Sequence, residues 1–123
     1  MIKELLFVGI GAFIGGGLRY FIGTKVALLN LTFPWGTFGI NLIGSLIIGV
    51  FMALSIKDQH LFRLLLITGF CGGFTTFSTF SLESLTLLKS GNYQMALIYV
   101  CASVLGGLLL VGVGYFLTHK FID

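Results

Sequence analysis

Four long apolar stretches, roughly Leu5–Ile22, Gly36–Leu54, Phe62–Leu88 and Tyr93–Leu117, follow one another along the chain with short connections between them. A helix that crosses a bilayer needs about 20 mostly apolar residues, because each residue adds only ~1.5 Å of rise against a hydrocarbon core of ~30 Å. The pattern therefore predicts an all-α membrane protein, with residues 1–123 forming one domain of four transmembrane helices. Little chain is left outside the bilayer, so a soluble catalytic domain has no place in it.

The third stretch departs from a plain spanning helix. Near its centre it reads Gly69-Phe70-Cys71-Gly72-Gly73-Phe74-Thr75-Thr76-Phe77-Ser78-Thr79-Phe80-Ser81. Glycines at that depth either loosen the helix or let another helix approach closely, and backbone polar groups freed within a membrane are tolerated only where protein or water covers them. Beyond the glycines, a turn of 100° per residue puts Phe74, Phe77, Phe80 and Ser81 on one face. Gly72, Thr76, Thr79 and Glu83 line another. The result is a polar stripe that ends in a carboxylate, although a phenylalanine stripe also serves for packing and hydroxyls also bond their own helix.

Composition agrees with the pattern: 57% of the residues are hydrophobic and 9% charged, far from the mixture of a soluble domain. The first stretch lacks a clear small-x-small cleavage site and is kept as a span rather than a signal peptide. Cys71 and Cys101 fall inside spans without further Cys or His at ligand spacing, so neither a disulfide framework nor a zinc site is indicated. The net charge of +3 is divided almost evenly. Lys3, Lys57, Arg63 and Lys120 lie on one side of a four-span chain, and Arg19, Lys25 and Lys89 on the other. Orientation follows Lys/Arg excess on the cytoplasmic side, so so small a bias permits insertion both ways and pairing of two opposite copies.

The remaining polar residues admit two readings each. Arg19, near the end of the first span, either snorkels or lines an anion-attracting vestibule, and spans one and three run in the same direction, which predicts that Glu83 lies close enough in depth to pair with it. Asn41, inside the second span, either ties helices together for ~1 kcal/mol or offers an N–H to an anion in a pore. Tyr99 and Ser103 are four residues apart and share a face, where they bond a neighbouring helix or continue a polar lining. Gly11-x-x-x-Gly15 predicts close helix contact, and Pro34-Trp35 predicts a helix start with an interfacial anchor. The stretch Ser55–Leu61 with Lys57, Asp58 and His60 reads as a solvated turn, and His119 as solvated. With no phosphate-binding loop, no Ser/His/Asp set and no paired carboxylates, nothing points to an enzyme.

Taken together, the sequence resembles the Fluc family of small bacterial fluoride channels over essentially its full length. The likeness rests on Gly16-Gly17-Leu18-Arg19-Tyr20, on Gly36-Thr37 with Asn41-Leu42-Ile43-Gly44, on Gly72-Gly73-Phe74-Thr75-Thr76-Phe77-Ser78-Thr79-Phe80-Ser81-Leu82-Glu83, and on Gly91-Asn92-Tyr93. The third of these is the specific one. The resemblance implies an antiparallel, dual-topology homodimer in the bacterial plasma membrane, with the third helix broken at midplane. It implies a structural Na+ on the dimer axis, held by the backbone carbonyls of Gly72 and Thr75 from both copies. It also implies two fluoride pores passing the rings of Phe77 and Phe80, with Asn41, Ser78, Thr79, Tyr99 and Ser103 as polar contacts and Arg19 in the vestibule. Thr79, which shares the stripe with Glu83, is expected nearer the polar track than Ser78; Glu83 matches the family without an assigned role. The partners implied are a second copy, fluoride and lipid, with no nucleic acid. Two other classes stay open: a small proton-coupled exporter, for which span one lacks the central carboxylate, and a structural subunit of a larger membrane complex.

Overall fold

The computed structural model describes residues 1–54 and 59–122, and every regular element among them is helical. The chain order is α1 (Ile2–Ala27), α2 (Trp35–Leu54), α3 (His60–Arg63), a π-helical stretch (Leu64–Cys71), α4 (Gly72–Phe74), α5 (Phe77–Lys89) and α6 (Tyr93–Ile122). Four helices are long and apolar enough to cross a membrane, the third being the composite His60–Lys89. The first, third and fourth extend beyond the stretch that hydropathy alone marks out, because helical geometry continues into the polar flanks, and α2 gains only Trp35. The expected turn at Ser55–Leu61 lies largely outside the described residues, Lys57 and Asp58 included.

Glycine decides how the helices meet. α1 runs against the π-helical stretch and α4, and α2 runs against α6. A Cβ on Gly15 would sit 2.9 Å from the Phe74 nitrogen and closer still to the Phe70 carbonyl oxygen; one on Gly73 would sit 2.7 Å from the Ala12 carbonyl oxygen. Gly11 and Gly69 face one another in the same seam. The second seam repeats the device, with Gly49 against Val111 and Tyr115, and Gly114 against Leu46 and Val50. Without a hydrophobic drive between helices in lipid, such backbone-to-backbone contact is what dispersion and close packing require. So Gly69 and Gly73 serve helix approach, while a Cβ on Gly72 would meet nothing within 4 Å.

The buried interior is small. Phe80, Leu87, Ala96 and Tyr99 form one cluster, with Phe33, Phe38 and Met95 packed around them, and Ile40, Cys71 and Phe74 are buried besides. Long rows of Leu, Ile and Phe stay exposed along the helices, as lipid contact demands. α5 ends in a left-handed Gly91 (φ 84°), with the Asn92 N–H on the Leu87 carbonyl and the Gly91 N–H on that of Leu88, which turns the chain straight into α6.

Gly15→Ala is expected to force α1 off the third span at a cost of ~1–3 kcal/mol, whereas Gly9→Ala, whose Cβ meets open space, is expected to be neutral or slightly stabilising. Melting of the two variants in detergent, followed by size-exclusion, checks the contrast. Equal melting temperatures would mean that the seam is not close-packed.

Candidate functional site

The third span loses its helical geometry at two residues. Thr75 (φ −87°, ψ 159°) and Thr76 (φ −150°, ψ 122°) are extended, between α4 and α5. The glycines before them remain helical, so the interruption falls after the cluster that marks it in the sequence. Contrary to the periodicity of a continuous helix, Phe74 precedes the interruption and stacks on Phe70, with ring centroids 5.6 Å apart, and does not continue the Phe77–Phe80 face.

Side chains take over the hydrogen bonds that the backbone forfeits there. Asn41 Oδ1 accepts from the Thr76 N–H at 2.9 Å, and Asn41 Nδ2 donates to the Thr76 carbonyl at 3.1 Å. Thr76 Oγ1 caps α5 by accepting from the Thr79 N–H at 3.2 Å. Arg19 Nε donates to the Gly73 carbonyl at 3.0 Å, setting a cation at the C-terminal end of the first half-helix, where the backbone dipole favours one. In a continuous helix the Thr76 and Thr79 N–H groups would return to the carbonyls of Gly72 and Thr75. Here both are engaged elsewhere, and those two carbonyls lose their helical donors. Gly44 makes room for the arrangement: a Cβ there would run into the Thr75 methyl group.

Arg19 and Glu83 do not pair. Glu83 accepts from Thr37 Oγ1 at 3.0 Å and from the Tyr99 hydroxyl at 2.8 Å, so each carboxylate oxygen has a donor. The reason is position. α2 and α6 bring Thr37 and Tyr99 onto Glu83, while Arg19 is drawn to the carbonyl end of α4. Tyr99 is completely buried, its ring 5.0 Å from that of Phe80 and 5.4 Å from that of Phe33.

Two cavities flank the interruption. The larger, about 680 Å³, is lined by Arg19, Thr37, Thr76, Thr79, Glu83 and Thr86 among others. The smaller, about 310 Å³, is lined by Asn41, Ser45, Thr75, Thr76, Phe77, Phe80 and Ser103. Thr76 borders both. Ser103 Oγ is buried without a hydrogen-bond partner. Thr79 faces the larger cavity, whereas Ser78 is exposed and meets the Thr76 hydroxyl at 3.4 Å. Among the described residues no group of three or more His, Cys, Asp or Glu side chains is placed to hold a metal ion.

Comparison with known proteins places the chain. The family described as CrcB-like protein, Camphor Resistance (CrcB), matches residues 6–115. The chain belongs to the CrcB family. Relatives named fluoride-specific ion channel FluC include one from Azobacteroides pseudotrichonymphae, 40% identical over 98% of this chain and 100% of its own. One from Bacteroides fragilis is 44% identical over 97% and 98% of the two chains, and one from Escherichia coli O1:K1 is 42% identical over 95% of each. The CrcB family is thus one of ion channels and not of enzymes. With four membrane-length helices, the chain is a multi-pass integral membrane protein of the bacterial plasma membrane.

Within this CrcB chain, the residues singled out by sequence fall into two groups. Asn41, Thr75, Phe77, Phe80 and Ser103 meet at the smaller cavity; Arg19, Thr79 and Glu83 meet at the larger. Tyr99 lines neither and acts on Glu83 from behind. The roles of Thr37 and Thr76 escaped the sequence reading. Thr76 carried a usable signal as a hydroxyl three residues ahead of Thr79 at a helix start, whereas nothing local to Thr37 foretells a carboxylate 46 positions later.

Tyr99→Phe is expected to leave one Glu83 oxygen without its donor and to destabilise the fold by ~1–3 kcal/mol. Thermal unfolding in detergent reads this, and an unchanged melting temperature would remove the bond from the account.

Proposed function

We propose that the chain is a passive, electrogenic, fluoride-selective channel that exports fluoride and so confers fluoride resistance. It works as an antiparallel, dual-topology homodimer with two pores and a structural Na+ on its axis. The observation that carries the reading is the smaller cavity, where the Phe77 and Phe80 rings, the Asn41 amide and the uncommitted Ser103 hydroxyl meet beside the start of α5. Each of these suits a small, strongly hydrated anion. Hydroxyl and amide hydrogens replace water, ring edges attract weakly, and a helix N-terminus favours negative charge. Weak attraction at several sites permits exit as well as entry. The names of the relatives supply the identity of the anion.

Arg19, Thr79 and Glu83 belong to the vestibule on this reading, Arg19 biasing it toward anions. No pump is required. A membrane potential of ~100 mV is worth ~2.3 kcal/mol per charge, enough to hold fluoride roughly 50-fold lower inside than outside.

The cation site rests on the Gly72 and Thr75 carbonyls, which have lost their helical donors. Two such oxygens per chain make four across a two-fold axis, and carbonyl dipoles suit a hard cation. A bound Na+ would supply fixed positive charge that holds the two interruptions together. The face on which this happens is open to a second copy. Phe77 is 78% exposed while Phe80 is 8% exposed, and Gly72 has open space before it. The near balance of Lys and Arg between the two sides supports insertion in both orientations.

Phe80→Ile is expected to lower fluoride efflux from liposomes by more than about tenfold while cross-linked dimers persist, because the ring edge at the cavity is lost and the apolar volume is largely kept. Unchanged efflux would take Phe80 out of the conduction path.

A further inference from the structure

Asn41 is held at both ends of its amide. The Thr76 N–H donates to its Oδ1 at 2.9 Å, and its Nδ2 donates to the Thr76 carbonyl at 3.1 Å. A side chain whose only task was to donate to a passing anion would not need its oxygen engaged. The N–H that Oδ1 takes is the one that an unbroken helix would return to the Gly72 carbonyl. Fixing Thr76 also fixes its hydroxyl, which takes the Thr79 N–H that would otherwise return to Thr75.

We infer that Asn41 is a positioning residue for the cation site. By clamping the Thr76 peptide from α2 it keeps the third span interrupted and the Gly72 and Thr75 carbonyls free to face a cation. The inference rests on the channel reading above and gives that reading's Na+ site a cause within this chain. It also explains why the amide comes from another helix. Asn41 and Thr76 are 35 positions apart, so the clamp forms only once α2 has packed against the third span, at the point where Gly44 admits the Thr75 side chain. With Asn41 replaced by an apolar residue, the Thr76 N–H loses its acceptor, the Gly72 carbonyl is the one a continuous helix would offer it, and an unsatisfied N–H in a membrane interior is too costly to persist. The helix then closes over the site. Thr76 borders both cavities, so the residue that Asn41 clamps lies where the two meet the interruption.

The test is the sodium dependence of melting of the purified, full-length protein in detergent, in a large-organic-cation chloride background. Wild type is expected to gain stability as sodium rises. Asn41→Leu is expected to shift the half-maximal sodium concentration upward by about tenfold or more, the equivalent of losing a buried hydrogen bond. Thr76→Val, which removes only the hydroxyl that holds the Thr79 N–H, is expected to shift it the same way, and it covers the case in which Asn41→Leu fails to fold. For Thr76→Val, raising sodium is further expected to recover fluoride efflux from liposomes. A half-maximal concentration within about twofold of wild type in the folded variants, with efflux lost, would overturn the inference and make Asn41 a donor to the anion alone. Wild-type fluoride efflux without any sodium-dependent stabilisation would overturn it together with the Na+ site, while leaving the fluoride channel standing.

Discussion

A backbone polar group inside a bilayer has no water to turn to, and the interruption at Thr75–Thr76 exposes several at once. The rest of the structure depends on how those groups are answered. Asn41 answers the N–H and the carbonyl of Thr76, Thr76 answers the N–H of Thr79, and Arg19 answers the carbonyl of Gly73. Two of these three residues come from other helices. The interruption is therefore satisfied by the assembled bundle, with α1 and α2 supplying partners that the third span lacks on its own.

The glycines make that seating possible. In the first seam Gly11, Gly15, Gly69 and Gly73 bring α1 against the third span closely enough for Arg19 to reach Gly73. In the second, Gly49 and Gly114 lock α2 to α6, and that pair then presents Thr37 and Tyr99 to the two oxygens of Glu83. Glu83 is thereby held by hydroxyls rather than by an opposite charge, which leaves the Arg19 guanidinium and the Glu83 carboxylate as separate features of one cavity.

Four spans were legible from hydropathy because lipid imposes a length and an apolarity that few other environments do. The third span stood out because glycine and threonine at its centre violate that rule. What composition and periodicity could not place was the exact residue at which the helix stops, since Gly72 and Gly73 are the weaker helix formers and yet remain helical, Gly73 packed against Ala12. Tertiary contact overrode propensity there. The Arg19–Glu83 pair failed for a related reason: matching depth in the membrane is readable from spacing, but the competing donors Thr37 and Tyr99 and the carbonyl end created by the interruption are products of the fold. Asn41 stood out as an amide in an apolar helix, with its partner unreadable because the partner is a peptide bond.

The measurement that reaches the central claim most directly is ion efflux from liposomes reconstituted with the wild-type protein, followed by electrode for fluoride and then for chloride, with and without a potassium ionophore. The account predicts rapid fluoride release that requires the ionophore, since a passive channel can move charge only when another ion compensates it, and little chloride release. Silence for both anions, or release that follows a proton gradient instead of the membrane potential, would contradict it.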